Sequence, residues 1–243
     1  MEAESRIERT PILFAHRGGK ADAPENTIEA FSLALSNHAT GLESDARLTK
    51  CGNVVLHHDR HYGRLFWRRQ VKNNVLDALP STIPTLEKFF STIKGNFDLS
   101  LDVKDSESTD NILAIAERFS FPLKRLWLCH PDIEKITAWR ACNADVRLIN
   151  STAIDRIKEG PERRLATLKE IGVDAFNLHF SEWNEGLVSL CHRFEVRSFA
   201  WDAQEERQIK YLLKIGVDGI YSDHVRKMSE MWSEYQNKNS KVS

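Results

Sequence analysis

The sequence predicts an α/β chain of the (β/α)8 class, a TIM barrel with a small insertion after strand 2. Short apolar runs alternate with stretches in which apolar residues recur every three or four positions, over most of the chain. Polar and charged residues gather where the apolar runs end, as they do at the carboxyl face of a barrel. No GxGxxG or GxxxxGK[ST] motif opens a helix, which counts against a nucleotide-binding sheet.

The predicted elements follow one another in regular order. Eight strands are predicted at PILFAH (11–16), GLESDAR (41–47), FDLSLDVK (97–104), RLWLCH (125–130), VRLINS (146–151), AFNLHF (175–180), VRSFAWD (196–202) and GIYSD (219–223). Seven helices are predicted between them at 25–38, 85–93, 111–119, 133–141, 164–172, 186–194 and 206–216. Asn26 or Thr27 can cap the first of these helices.

One connection is longer than a strand-to-strand crossover needs. About fifty residues separate GLESDAR from FDLSLDVK, where a few would join each strand to its helix. We therefore expect a single domain over 1–243 with an insertion loop at about 50–83. Within the loop, residues 60–72 (RHYGRLFWRRQVK) interleave cations with aromatic rings and contain no acid. This stretch is either a solvated basic loop, a lid over an anionic substrate or a weak lipid-surface contact.

Composition narrows the possible partners and the compartment. Lys+Arg 34 and Asp+Glu 35 leave a net charge of -1, so the chain has no basic field for nucleic acid. No run of eighteen apolar residues and no signal-peptide core occurs, so no transmembrane segment is expected. None of the four cysteines forms a CxxC pair, which predicts reduced thiols in a cytoplasmic protein. The oligomeric state is left open.

Chemistry-bearing residues lie at the ends of the predicted strands. They are His16, Arg17, Glu43, Asp45, Asp102, Lys104, His179, Trp201, Asp202 and Asp223. Residues two apart on a strand point the same way, so Glu43 aims with Asp45, and Asp102 aims with Lys104. Three converging carboxylates would repel one another without a cation among them. Oxygen ligands suit Mg²⁺ or Ca²⁺, with Mn²⁺ as a further candidate, and do not suit zinc.

The remaining groups in this set suit phosphate chemistry. His16 and His58 can act as acid and base, because imidazole titrates near neutral pH. Arg17 and Lys104 supply positive charge and donors for a phosphate. Trp201 either belongs to the core or forms a wall of the substrate pocket.

The sequence resembles the glycerophosphodiester phosphodiesterase family, in its compact soluble form. The resemblance rests on HRGG (16–19), APENT (23–27), AF (30–31), GLESDARLTKCGNVVLHHD (41–59), IPTLEKFF (83–90), LSLDVK (99–104), FAWDA (199–203) and GVDGIYSD (216–223), which cover nearly the whole chain in family order. It implies a metal-dependent (β/α)8 barrel that hydrolyses a phosphodiester to an alcohol and a phosphomonoester.

The resemblance also assigns residues. Glu43 and Asp45 match two metal ligands, and Asp102 matches the third, where the family usually has Glu. His16 and His58 match the catalytic pair. From general acid–base chemistry we favour His16 as the acid and His58 as the base, with the reverse order as the alternative, and Asp59 as a group that orients His58. Arg17 matches the phosphate-binding arginine, and Lys104 matches the lysine two places after the third carboxylate. The Cys129–His130 pair departs from the family's usual end of that strand.

The expected reaction is hydrolysis of small-molecule glycerophosphodiesters, such as glycerophosphocholine or glycerophosphoethanolamine, to sn-glycerol 3-phosphate and an alcohol. The attacking group is either water or a glycerol hydroxyl, the latter passing through a cyclic phosphate. One alternative is lysophospholipase D-type cleavage of a lysophospholipid. The other is a barrel that binds phosphodiesters without catalysis.

Overall fold

The computed structural model describes residues 10–63 and 67–240. The strands in these residues are β1 (Ile12–Ala15), β2 (Gly41–Leu48), β3 (Val54–Leu56), β4 (His61–Tyr62), β5 (Arg69–Gln70), β6 (Asp98–Val103), β7 (Leu126–His130), β8 (Arg147–Ser151), β9 (Ala175–His179), β10 (Arg197–Trp201) and β11 (Gly219–Ser222). Eight of them, β1, β2 and β6 to β11, run parallel to their neighbours in one sheet.

The sheet closes into a barrel at its first strand. Phe14 of β1 lies opposite Tyr221 of β11 on one side and Gly41 of β2 on the other. Each of the eight predicted strand segments contains one parallel strand. The predicted (β/α)8 barrel is therefore confirmed.

Helices connect the barrel strands and cover their outer surface. They are α1 (Ile28–Ser36), α2 (Leu86–Thr92), α3 (Thr109–Arg118), α4 (Ile133–Cys142), α5 (Pro161–Glu170), α6 (Glu185–Arg193), α7 (Glu206–Ile215) and α8 (Val225–Asn239). The first seven occupy the predicted helical segments. The helix α8 was not predicted from the sequence; it packs against β1 and α7 and buries Val225, Met228 and Met231. Of the helices described, none is both long and apolar enough to cross a membrane.

Aromatic rings close the barrel interior below its carboxyl end. Phe14 stacks on Tyr221 with ring centroids 4.4 Å apart, and Phe199 meets Phe14 edge-on at 5.5 Å. A Cβ at Gly41 would lie 2.4 Å from the ring of Phe14, so only glycine leaves that ring its space. The polar residues on the carboxyl side of this aromatic layer therefore lie at an open end of the barrel, the mouth, and the aromatic rings close the interior beneath them.

The residues between β2 and α2 form structure of their own beside the mouth. The strand β3 pairs antiparallel with β2, and β4 pairs with β5 as a hairpin. Val55, Tyr62 and Val71 are buried together in a small cluster. Arg64 and Phe66 of the basic, aromatic stretch lie outside the described residues.

Candidate active site

A short turn carries His16 and Arg17 out of β1 at the mouth of the barrel. His16–Gly18 form one turn of 3₁₀ helix, in which Arg17 and Gly18 have left-handed φ values of 49° and 79°. A Cβ on Gly18 would lie 2.9 Å from the Cβ of Ala30 on α1, so the position requires glycine. The turn aims the backbone N–H of Arg17 at Glu43, whose Oε2 accepts it at 2.7 Å.

Three carboxylates lie on the neighbouring strands β2 and β6. The register of these strands pairs Asp45 with Asp102, and Glu43 lies two residues before Asp45 on the same face. Glu43 is 7% exposed and Asp45 is 2% exposed. Burial raises the pKa of Glu43 to about 7, although the nearby His16 opposes the shift. Like charges this close and this buried need positive partners.

Lys104 and Arg17 provide positive charge beside these carboxylates. The Nζ of Lys104 lies 2.5 Å from Asp102 Oδ2 and 3.0 Å from Asp45 Oδ1. The Nε of Arg17 lies 3.6 Å from Asp45 Oδ2, and its Nη1 donates to Glu25 at 3.0 Å. Burial alone would raise the pKa of Asp45, but Lys104 and the more distant His58 hold it below its usual range. Asp45 is therefore ionised at neutral pH.

Asn26 fixes the orientation of Asp45 through a side-chain hydrogen bond. Its Nδ2 donates to Asp45 Oδ2 at 3.1 Å, and its Oδ1 accepts from the Ser44 hydroxyl at 2.7 Å. Thr27 is the residue that caps α1, by accepting the N–H of Ala30. The sequence allowed either Asn26 or Thr27 as the N-cap of α1. The structure shows that the cap is Thr27, whereas Asn26 contacts Asp45 of the candidate active site.

His16 is held by the last strand of the barrel. Its Nδ1 lies 2.6 Å from Asp223 Oδ1, and its Nε2 faces Glu43 Oε2 at 3.9 Å. Burial alone would lower the pKa of His16, but the Glu43 and Asp223 carboxylates outweigh burial and raise it above 6.5. Sequence reasoning placed Asp223 at the mouth without giving it a role; its position at the end of the last predicted strand was the available signal.

His58 reaches the mouth from the loop that follows β3. Its Nδ1 lies 2.9 Å from Asp59 Oδ1, the contact expected from the sequence. Arg47 donates from Nε and Nη2 to the His58 carbonyl at 3.0 and 2.7 Å, which fixes the loop to β2. The backbone N–H of His57 donates to the Asp45 carbonyl at 2.9 Å, while its ring turns away to the His61 carbonyl. His58 is therefore the histidine of this pair that lies near Asp45.

Three further strand ends carry rings around the mouth. His130 accepts the N–H of Asp132 at 2.9 Å and packs edge-on against Trp139, so it faces α4. Trp201 is 39% exposed, and its ring meets His179 at 4.8 Å between centroids. This exposure is not that of a core residue, and a place for Trp201 in the wall of the substrate pocket stays a prediction.

The carboxylates are the residues that could hold a divalent cation. Among the residues that the structure describes, no three His, Cys, Asp or Glu side chains are gathered into a metal-binding cluster. Lys104 instead bridges Asp45 and Asp102. The donor set still fits a hard cation, because Glu43 and Asp45 are buried on one face and offer only oxygen.

Comparison with known proteins gives a consistent result. The sequence model described as the glycerophosphoryl diester phosphodiesterase family matches residues 16–227. A glycerophosphodiester phosphodiesterase of Caldanaerobacter subterraneus is 28% identical over 87% of this chain and 93% of its own length. An uncharacterized Bacillus subtilis protein, YqiK, is 31% identical over 90% of this chain and 97% of its own.

Solved structures share the fold at low identity. A glycerophosphodiester phosphodiesterase from Thermotoga maritima superposes with a TM-score of 0.79 at 22% identity, covering 91% of this chain and 98% of its own. An Oleispira antarctica phosphodiesterase in complex with its product sn-glycerol-3-phosphate superposes with a TM-score of 0.80 at 19% identity, covering 92% and 97%. At these identities the likeness establishes the barrel alone.

Proposed function

We propose, because this chain belongs to the glycerophosphoryl diester phosphodiesterase family, that it hydrolyses glycerophosphodiesters to sn-glycerol 3-phosphate and an alcohol. Glycerophosphocholine and glycerophosphoethanolamine are the substrates to test first. The observation that carries the proposal is the meeting of Glu43, Asp45 and Asp102 with Lys104 and the Asp223-bound His16 at one barrel mouth. The curated relatives named above do not favour the lysophospholipase D or the non-catalytic alternative.

Arg17 and Lys104 are proposed to bind the phosphodiester oxygens. Both side chains already lie against the carboxylates of the mouth, at 3.6 and 3.0 Å from Asp45. A guanidinium offers a planar fork to two oxygens, and an ammonium adds a compact positive charge. Together they would neutralise the charge that grows on the phosphate in the transition state.

His16 and His58 are proposed to move the protons. Asp223 occupies Nδ1 of His16, so Nε2 is the atom left to donate a proton to the leaving alcohol. The raised pKa of His16, to which Glu43 and Asp223 contribute against burial, supports this role as acid. His58, with Asp59 on its Nδ1, would take the proton of the attacking hydroxyl at Nε2.

Glu43, Asp45 and Asp102 are proposed to hold Mg²⁺, Ca²⁺ or Mn²⁺. A bound divalent cation would supply Lewis-acid neutralisation of a phosphate oxygen. The chain's own contribution is to keep Asp45 ionised and oriented, which Asn26 and Lys104 support. Since Lys104 contacts both Asp45 and Asp102, its ammonium must share these carboxylates with the cation or move to the phosphate.

Phosphorus-31 NMR of chelator-stripped protein tests the reaction. Glycerophosphocholine, glycerophosphoethanolamine and lysophosphatidylcholine are each supplied with Mg²⁺, Ca²⁺ or Mn²⁺. We expect metal-dependent growth of a glycerol 3-phosphate signal, abolished in His16→Ala. A transient cyclic phosphate signal would assign the attack to a glycerol hydroxyl, whereas turnover of a substrate analogue that lacks the glycerol 2-hydroxyl would assign it to water.

His130→Ala is the matched control for that experiment. His130 also ends a barrel strand, but its ring contacts Asp132 and Trp139 beside α4. The control should retain activity. No turnover of the first two substrates in folded, metal-bound protein would refute the proposed reaction, and turnover of the lysolipid alone would move the protein to the lysophospholipase D class.

We also propose a cytoplasmic location and a weak contact with anionic lipid surfaces. Cys51, Cys129, Cys142 and Cys191 are free thiols, which supports a reducing compartment. Trp67 is 76% exposed next to two arginines, which supports contact with headgroups. Sedimentation with phosphatidylserine vesicles tests the contact: Trp67→Ala should weaken it, whereas Tyr211→Ala, 45% exposed on α7, should not.

A further inference from the structure

A second cavity lies at the amino-terminal end of the barrel, opposite the candidate active site. Its volume is about 250 Å³, and it opens between the first residues of β8 and β10 and the loops that enter β9 and β10. Five charged residues line it: Arg147, Lys169, Asp174, Glu195 and Arg197. The cavity shares no residue with the site of the proposed function.

The anions of this cavity are already engaged. Asp174 forms ion pairs with Arg147 and, at 2.7 Å, with Arg140, and it accepts the N–H of Leu148 at 2.9 Å. Glu195 pairs with Lys169 at the exposed rim. Arg140 lies behind Asp174, and Asp98 is a third carboxylate near the cavity that interacts with Arg125, Arg147 and Arg197. Five cations therefore face three carboxylates, so the cavity keeps a positive excess.

Arg197 is the lining cation that no described carboxylate holds in an ion pair, although it interacts electrostatically with the nearby Asp98. Within the described parts of the chain it forms no ion pair, and its guanidinium carbon instead lies 5.4 Å from the centre of the Trp127 ring. Trp127 is 1% exposed and donates its indole N–H to Asp98 Oδ1 at 2.7 Å, so the platform beneath Arg197 is rigid. Stacking holds the guanidinium plane and leaves its N–H edges available.

We propose that this cavity binds a small dianion of the phosphate class, inorganic phosphate or a phosphomonoester, through Arg147, Lys169 and Arg197. Two guanidinium forks can each meet two phosphate oxygens, and the lysine adds a point charge. The backbone N–H groups of Gly172, Val173 and Asp174 bond to other carbonyls, so side chains must supply the contacts. A dianion would offset the positive excess that the cavity now carries.

Two tryptophans at opposite ends of the barrel make the site measurable by NMR. The indole N–H of Trp127 reports on the cavity, and that of Trp201 reports on the candidate active site. Chelator-stripped protein is titrated at constant ionic strength with inorganic phosphate, with glycerol 3-phosphate and with chloride. We expect a saturable shift of the Trp127 resonance with one or both phosphate ligands and none with chloride.

Variants distinguish specific binding in this cavity from a non-specific effect of ionic strength on the Trp127 resonance. Arg197→Ala should weaken the Trp127 response at least about tenfold, as the loss of a charged hydrogen bond would. Arg197→Lys should weaken it less, and Arg207→Ala, an exposed arginine on α7, should leave it unchanged. His16→Ala should abolish turnover yet keep the Trp127 response, so the two proposals fail independently. A Trp127 shift that is absent, is unsaturable, or is unchanged in Arg197→Ala would overturn this site.

Discussion

Replacing Asp223 with Asn would reveal how the barrel prepares His16 for proton transfer. Asp223 Oδ1 lies 2.6 Å from His16 Nδ1, and its other oxygen lies 3.4 Å from Lys20 Nζ. Burial favours neutral His16, whereas Glu43 and Asp223 favour the charged ring and raise its pKa above 6.5. The Asn variant keeps the shape of the side chain but removes the negative charge of Asp223, so both His16 and Lys20 lose this charged partner.

The expected size of the effect follows from this geometry. An opposite charge within hydrogen-bond distance typically shifts a pKa by about one to three units. Asp223 is partly open to water, 16% exposed, so we expect the lower end of that range. A loss of about one unit corresponds to roughly 1.4 kcal/mol.

The direction of the pH effect is also determined. A proton donor with a raised pKa remains active until the pH passes that pKa, so Asp223→Asn should move the alkaline limb of the rate profile down by about one pH unit. The rate below that limb should fall roughly a hundredfold, because the ring also loses the group that orients it. His16 ring resonances followed by NMR titration give the pKa directly.

Asp202→Asn is the control. Asp202 is also a carboxylate at the mouth of the barrel, but the histidine that it pairs with, at 3.4 Å, is His179 and not His16. This variant should leave both the His16 titration and the alkaline limb where they are. An Asp223→Asn enzyme with an unchanged His16 pKa would refute the electrostatic reasoning. An Asp223→Asn enzyme with a shifted pKa and an unaltered rate profile would remove His16 from the role of acid.

Three further predictions concern stability and metal binding. Gly18→Ala should lower the free energy of unfolding in urea by about 1–3 kcal/mol, because φ is 79° there and Ala30 is too close; a change near zero would contradict this. Asp218→Asn should cost about 3 kcal/mol at pH 7, since His192 and Ser198 hold the pKa of this carboxyl low despite burial. That loss should shrink as the pH falls below about 4, where the carboxyl of the unfolded chain takes up its proton, and should be gone below the lower pKa of the folded carboxyl; an equal loss at pH 7 and pH 3 would refute the assignment. Asp102→Asn should weaken Mn²⁺ binding, followed by electron paramagnetic resonance, by at least roughly tenfold, and unchanged affinity would exclude Asp102 as a ligand.

Particular elements show why the sequence predicted most of the fold. Each barrel strand is a short apolar run between helices with a clear three- and four-residue spacing, and both periods are local properties. The helix α8 escaped prediction because its buried Val225, Met228 and Met231 are spaced among many polar residues. Its packing against β1 and α7 joins the last helix to the first strand, and that contact is not local in sequence.

The candidate active site also has residues that the sequence predicted and contacts that it could not predict. His16, Glu43, Asp45, Asp102 and Lys104 could be named because each lies within or just after a predicted strand, and alternation along a strand assigned a common face to Glu43 with Asp45 and to Asp102 with Lys104. The partner of His16 is Asp223, which is 207 residues away along the chain. Only closure of the barrel through β1 and β11 brings that pair together.

The sequence by itself therefore determined the barrel class, the order of its elements and the residues that gather at its mouth. Tertiary structure alone decided which charges meet: Lys104 between Asp45 and Asp102, Asn26 beneath Asp45, and Arg197 on Trp127 at the far end. The physical reason is one of range. Periodicity and turn chemistry act over a few residues, whereas hydrogen bonds and ion pairs depend on distances of a few ångströms between strands that are far apart in the chain.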